Sequence, residues 1–151
     1  MEYREIAPGE LDRALFRHFE RRQEVTKCRR RENGVWVVRD APFIDEADYA
    51  FLVQCLQNTL ATGGVVLGAF ADGALKGFAS VESAPLGKAG DYRDLTCLHV
   101  SAELRGRGIG RELFCRAACT AQDFGAQSLY ISAHSARETQ AFYARMRCLE
   151  A

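Results

Sequence analysis

The stretch Leu95–Phe124, LTCLHVSAELRGRGIGRELFCRAACTAQDF, constrains this chain more than any other. Its first six residues, Leu95-Thr96-Cys97-Leu98-His99-Val100, are short, apolar and partly β-branched, the pattern of a largely buried strand. Arg105-Gly106-Arg107-Gly108-Ile109-Gly110 then places three glycines and two arginines in six residues. From Ile109 onward the apolar positions Ile109, Leu113, Ala117, Ala121 and Phe124 recur at helical spacing, with Phe114 and Ala118 widening the face. Gly125 follows where a left-handed residue ends a helix. The segment therefore reads as strand, tight glycine loop and long helix.

The physics of that arrangement favours an anion. Glycines let the chain turn sharply and let a ligand approach the main chain. A helix N-terminus offers amides without intrahelical acceptors and the positive end of the dipole. Arg105, Arg107 and Arg111 add permanent charge, so a phosphate or pyrophosphate fits. The alternative is a glycine turn whose arginines are merely solvated. The spacing is not that of a P-loop, which needs Gly-x-x-x-x-Gly-Lys-[Ser/Thr]. Nor is it the dinucleotide fingerprint Gly-x-Gly-x-x-Gly, because the third glycine falls one residue early.

What the loop does fit is [Arg/Gln]-x-x-Gly-x-[Gly/Ala], met by Arg105, Gly108 and Gly110 after a strand ending Leu98-His99-Val100. It resembles the acetyl-coenzyme A loop of the GNAT N-acetyltransferase family. The resemblance implies an α/β fold, a mixed and mostly antiparallel sheet with helices on both faces.

A chain of 151 residues is most simply one domain. Its 20 basic and 20 acidic residues balance, so no basic signal points to nucleic acid. No segment approaches the roughly 20 apolar residues of a membrane span. The polar start, MEYREIAPGELDR, is not a secretory signal, and a cytoplasmic protein is expected. Cys28, Cys55, Cys97, Cys115, Cys119 and Cys148 form no Cys-x-x-Cys pair. They read as reduced thiols, buried or idle, and not as disulfides or a metal site.

In chain order, Glu2 to Ile6 reads as an edge strand broken by Pro8-Gly9. Glu10 to about Arg22 reads as a helix with Leu11, Ala14, Leu15, His18 and Phe19 on one face, His18 being a half-buried structural residue. Lys27, Arg29, Arg30 and Arg31 read as a solvated face, with an acidic contact as the alternative. Val35-Trp36-Val37-Val38 is an apolar island, a short extended piece that covers the sheet or shapes a substrate mouth. Asp45 can cap a helix running to about Thr62, with Leu52, Cys55, Leu56, Thr59 and Leu60 inward. Val65–Phe70 and Leu75–Ser83 form a hairpin about Ala71-Asp72-Gly73. After a loop from Pro85 to Tyr92 the Leu95 strand completes a meander. Leu129–Ala133 is a further strand, and the passage 95–133 makes a right-handed parallel unit.

A last helix, Glu138 to about Arg145, carries Ala141-Phe142-Tyr143, which resembles the GNAT closing helix. The sequence departs from that pattern at Arg147, where a glycine is expected, and in lacking an asparagine at the helix start, near Ser135 and Ala136. GNAT domains also continue into two more strands after this helix. On that resemblance the domain is expected to be C-terminally incomplete, with an exposed edge on the Leu129 strand. A shortened chain, a partner such as a second copy in a homodimer, or the N-terminal segments would resolve this.

The resemblance also implies a mechanism. Main-chain groups of Leu98, His99 and Val100 bind the pantetheine arm as an added strand. Amides from Arg105, Gly106, Arg107, Gly108, Ile109, Gly110 and Arg111 hold the pyrophosphate. A substrate amine, on a small molecule or a protein, attacks the thioester directly, with no metal and no covalent enzyme intermediate. Tyr143 matches the tyrosine that protonates the leaving thiolate; its alternative role is packing beside Phe142. Glu82 is the candidate base; its alternative is a solvent-facing strand carboxylate. Glu103, Asp91, Tyr92, His99 and His134 are weaker candidates. Two other classes of function remain: a non-catalytic coenzyme A-binding sensor, and a nucleotide or phosphate scaffold without acyl chemistry.

Overall fold

The computed structural model describes residues 1–20, 22–46, 48–131 and 137–149. In chain order its elements are β1 (Glu2–Glu5), β2 (Arg22–Glu32), β3 (Val35–Glu46), α1 (Tyr49–Ala61), β4 (Val65–Ala71), β5 (Ala74–Val81), β6 (Tyr92–Val100), α2 (Ile109–Asp123), β7 (Ser128–Ile131) and α3 (Arg137–Arg145). Short 3₁₀ turns occupy Pro8–Glu10, Arg13–Phe16 and Ala102–Leu104. The described residues fall into two compact units, 1–20 with 48–131, and 22–46 with 137–149.

The first unit is built on a five-stranded sheet in the order β1-β4-β5-β6-β7. β1 to β6 pair antiparallel, and β6 pairs with β7 in parallel. This is the mixed sheet expected for the fold class. The β4–β5 hairpin turns at Asp72 (φ 50°) and Gly73 (φ 79°), two left-handed residues that match the twist of the strands.

One face of the sheet is covered by Leu52, Val53 and Leu56 of α1 and by Phe16 and Phe19, which pack with Val66, Phe70 and Phe78. The Phe16 ring meets Phe78 edge-on at 5.4 Å, an arrangement favoured by ring quadrupoles. Against the other face lies α2, through Ile109, Leu113 and Ala117. Its close approach depends on Gly77: a Cβ there would sit 2.9 Å from Leu113 Cδ1 and 3.0 Å from Ile109 Cγ2. The bare strand at this point sets where α2 begins, and hence where the glycine loop sits.

Three expectations are corrected in this unit. No α-helix occurs among the described residues between Glu10 and Arg22. Asp12 instead caps the Arg13–Phe16 turn, its carboxylate accepting from Leu15 N at 3.1 Å. A three-residue turn lets Phe16 and Phe19 point the same way into the core, which a 3.6-residue period does less well. His18 is exposed and not half-buried. The cap of α1 is Asp48, which accepts from Phe51 N at 3.2 Å, whereas Asp45 lies within β3. Strand boundaries also shift: β6 begins at Tyr92 and β7 covers Ser128–Ile131, residues 132–136 lying outside the described ones.

The second unit contains the β2–β3 hairpin, antiparallel from Arg22↔Glu46 to Glu32↔Val35. The basic run and the apolar island are thus the two strands of one ribbon. Its turn is Asn33 (φ 50°) and Gly34 (φ 79°), again two left-handed residues. Across the strands the Arg29 guanidinium stacks 4.4 Å above the Trp36 ring. The same unit holds α3, where the Phe142 and Tyr143 rings meet edge-on at 5.1 Å. Beyond it Arg147 adopts φ 62°, the left-handed conformation that a glycine would take. Among the described residues no helix is long and apolar enough to cross a membrane.

Candidate functional site

The end of β6 pairs on one side with β5, through Leu98↔Ala79, His99↔Phe78 and Val100↔Gly77. On the other side the register with β7 runs only from Tyr92↔Ser128 to Leu95↔Ile131. Thr96 is the extra residue of a bulge, since Cys97 pairs with Ser80 and Leu95 with Val81. Past the bulge the main chain alternates in the direction of its polar groups. Ser101 N donates to Lys76 O at 2.8 Å, towards β5. By the two-residue period, Leu98 and Val100 present their amides and carbonyls to the opposite edge. The Arg105 side chain reaches that edge, Nε donating to Val100 O at 3.2 Å.

The loop that follows is anchored before it turns. Ser101 is fully buried, and its Oγ accepts from Glu20 N at 2.9 Å and donates to Glu103 Oε2 at 2.5 Å. Lys76 Nζ donates to Glu103 Oε1 at 2.6 Å and to His18 O at 2.7 Å. Burial alone would raise the Glu103 carboxyl, but the Lys76 and Ser101 hydrogen bonds outweigh it and lower the pKa to about 2. Glu103, a weaker candidate base, is therefore committed to holding the loop.

Gly106 (φ 80°) and Gly108 (φ 83°) make the turn, and Gly108 is the N-cap residue of α2. A Cβ at either would meet no atom within 4 Å. These glycines serve backbone conformation, and the space over them is open. The first helical amides, Ile109, Gly110 and Arg111, have no intrahelical acceptor by construction of a helix. Arg105, Arg107 and Arg111 are exposed around them. The loop thus has the shape, donors and charge to hold a pyrophosphate.

A second group lies at the β5–β6 level on the α1 face. Glu82 Oε1 accepts from Thr59 Oγ1 at 2.5 Å and from Thr96 Oγ1 at 3.3 Å. Thr96 Oγ1 lies 2.6 Å from Ser80 Oγ. On the neighbouring strand Asp94 is half-buried, and its main-chain carbonyl accepts from Glu82 N at 2.9 Å. Burial, and then the charge of Glu82, push the Asp94 carboxyl above its ordinary value. The strand expected from Leu95 leaves out Asp94, which the structure places on β6 because that strand begins at Tyr92.

The His99 ring lies tilted against Phe78, 5.4 Å between ring centres, on the face opposite to Leu98 and Val100. Asp91 supports the chain through its carbonyl, which accepts from Gln127 N and Ser128 N. Tyr92 is exposed, and His134 lies outside the described residues. Tyr143 is half-buried in α3, within the second unit. Among the described residues, Cys115 and Cys119 are exposed and Cys55, Cys97 and Cys148 half-buried, none of them in a disulfide. Among the described residues no group of three or more His, Cys, Asp or Glu could hold a metal ion.

The sequence model of the acetyltransferase (GNAT) family matches residues 32–147. The fold is similar to that of nourseothricin acetyltransferase, with 20% identity and a TM-score of 0.71 over 96% of this chain and 81% of that one. A putative streptothricin acetyltransferase from Bacillus anthracis, solved with acetyl coenzyme A, is similar at 14% identity and a TM-score of 0.72, covering 95% and 81%. An aminoglycoside N-acetyltransferase in complex with CoA is similar at 13% identity and a TM-score of 0.63, covering 99% and 92%. No curated protein matches this chain in sequence.

Proposed function

Because the chain belongs to the GNAT acetyltransferase family, we propose that it moves an acetyl group from acetyl-CoA to an amine by direct attack in a ternary complex. The observation that carries this reading is the edge of β6 running into the glycine loop. Leu98 and Val100 turn their main-chain groups away from β5 just before an open, cationic helix start. A pantetheine arm would pair with that edge like a further strand. Its pyrophosphate would rest on the amides from Gly106 to Arg111, with Arg105 and Arg107 adding exposed charge of small energetic weight. The thioester supplies an acyl group activated for attack by a neutral amine.

The chain's own residues then have three tasks. A main-chain N–H of the β6 edge would hold the acetyl oxygen and stabilise charge developing there. Glu82 would accept the proton of the attacking amine, directly or through a water, since an alkylammonium with a pKa near about 10 must lose one first. Tyr143 would give its phenolic proton to the departing thiolate, so the C–N bond forms as the C–S bond breaks and protons balance.

The test is thermal melting with acetyl-CoA, ATP and NAD in parallel, followed by a thiol-release assay on kanamycin, nourseothricin, spermidine and lysine. At about 100 times its dissociation constant a ligand adds roughly 2.7 kcal/mol to the folded state, a readable shift. A shift with acetyl-CoA alone, and thiol released with one of the amines, is the expected result. A shift with ATP or NAD instead would replace acyl transfer by nucleotide binding. A shift with acetyl-CoA but no release with any amine would favour the sensor reading. Tyr143→Phe should lower kcat by about 10²-fold with little change in acetyl-CoA affinity; equal turnover would remove Tyr143 from the mechanism.

A further inference from the structure

Thr59 sits in the last full turn of α1 with its hydroxyl turned towards the sheet, 4% exposed. A buried threonine hydroxyl in a helix ordinarily donates to the carbonyl four residues back. Here that carbonyl, Cys55 O, lies 3.2 Å away, while Glu82 Oε1 lies at 2.5 Å. One hydroxyl has one proton to give. The shorter, charge-assisted bond goes to the carboxylate.

The close fit is prepared by the chain on either side. Gly64 N donates to Thr59 O at 2.8 Å, folding the chain back under the helix end. A Cβ at Gly64 would fall 2.7 Å from Thr59 Cγ2 and 2.7 Å from Val81 O. Only the absence of that carbon lets Thr59 press against the strand end that carries Glu82.

We infer that Thr59 is a positioning residue for Glu82, holding Oε1 so that Oε2 is presented to the acceptor amine. The inference rests on the reading of Glu82 as the base. Thr96, the bulge residue, supports the same oxygen from β6, with Ser80 behind it. Both hydroxyls converge on Oε1, and Oε2 has no hydrogen bond among the described residues. When Glu82 carries a proton, the Thr59 hydroxyl has Cys55 O to return to. The buried donor is then satisfied in both protonation states of the carboxyl, so the cycle leaves no stranded polar group at this point.

The experiment compares Thr59→Val, Thr59→Ser and Glu82→Gln in the intact chain, using whichever amine of the panel turns over fastest. Thr59→Val removes the hydroxyl at nearly constant volume. Its kcat should fall about tenfold, the rate equivalent of one hydrogen bond to a charged group. The KM for acetyl-CoA should stay within about twofold, and Thr59→Ser should recover most of kcat, since it keeps the donor. The loss should vanish when Thr59→Val is made on Glu82→Gln, because the two act on one interaction. Independently of turnover, the Glu82 carboxylate stretch, isolated as wild type minus Glu82→Gln in infrared difference spectra, should shift in Thr59→Val and not in Thr59→Ser.

Wild-type kcat in Thr59→Val beside a slow Glu82→Gln would overturn the inference and leave the base reading standing. Equal losses in the valine and serine variants would do the same, assigning the effect to packing. Wild-type kcat in Glu82→Gln would remove the base reading itself. An unshifted carboxylate band in Thr59→Val would overturn the inference whatever the kinetics.

Discussion

The Arg93 guanidinium donates through Nη2 to the Phe124 carbonyl at 2.8 Å, tying the start of β6 to the last turn of α2. Nη1 donates to Gly90 O at 2.8 Å and to Tyr92 O at 3.0 Å. A cation at a helix C-terminus is favoured by the dipole as well as by the unpaired carbonyls. Both ends of α2 are therefore fixed to β6: one through the glycine loop, the other through this side chain.

Arg93 is 7% exposed, and its loss removes the guanidinium's hydrogen bonds to three carbonyls. Arg93→Met should destabilise the protein by about 2–4 kcal/mol, the scale of charged hydrogen bonds left unmade. Urea denaturation measures this. Midpoints that coincide with wild type would mean that water takes over the guanidinium's role.

At Gly108 the left-handed backbone and the open space make two separable demands. Gly108→Ala introduces a Cβ at φ 83° and should cost about 1–2 kcal/mol with weakened acetyl-CoA binding. Gly108→Glu adds bulk and negative charge at the proposed pyrophosphate position and should abolish binding. Titration calorimetry with acetyl-CoA distinguishes them, and undiminished affinity in the glutamate variant would sink the assignment of the loop.

The Lys76–Glu103–Ser101 junction carries a pH signature. The Glu103 carboxyl stands at about 2 in the folded protein, below the roughly 4.3 of an unfolded chain. A depressed folded pKa means stability fully present above about pH 4.3 and lost as pH falls towards 2. Glu103→Gln should flatten that acid limb. The side chain is 42% exposed, so the effect is screened and modest. Denaturant midpoints collected from pH 7 to 2 would show it. An unchanged acid limb in the variant would place the acid sensitivity elsewhere.

Arg147 adopts a left-handed backbone without being glycine. Arg147→Gly should raise stability by about 1 kcal/mol, because the left-handed conformation costs a side-chain-bearing residue about 1–2 kcal/mol and the unfolded chain gains entropy in return. A melting temperature at or below that of wild type would show that the arginine side chain repays its strain.

The parts of the fold readable from sequence are those where one local signal settles one element. Ile109, Leu113, Ala117 and Ala121 place α2, and Gly125, at φ 95°, ends it as expected. Asp72-Gly73 places the β4–β5 hairpin. The region before residue 46 was harder because its signals compete. Leu11, Leu15 and Phe19 suggest a helical stripe, yet the position that matters is Phe16, and a helix this short gains its stability from packing rather than periodicity. In the ribbon of residues 22–46 a run of basic residues hid a strand, although Asn33-Gly34 is a strong hairpin signal. At the site the glycine loop is local and legible. The meeting of Thr59, Glu82, Thr96 and Asp94 is not, since three elements separated along the chain bring it about.

The Ser101 junction has a consequence for how the chain reaches its folded state. Glu20 and Ser101 are 81 residues apart in sequence, and Lys76 and His18 are 58 apart. Closing such long loops is entropically slow, so non-local links form late in folding. Until the N-terminal segment arrives, the leading edge of the glycine loop lacks the contacts of Glu20 N with Ser101 and of Lys76 with His18 O. The shape of the glycine loop is therefore coupled, through Ser101 and Lys76, to the docking of the first twenty residues.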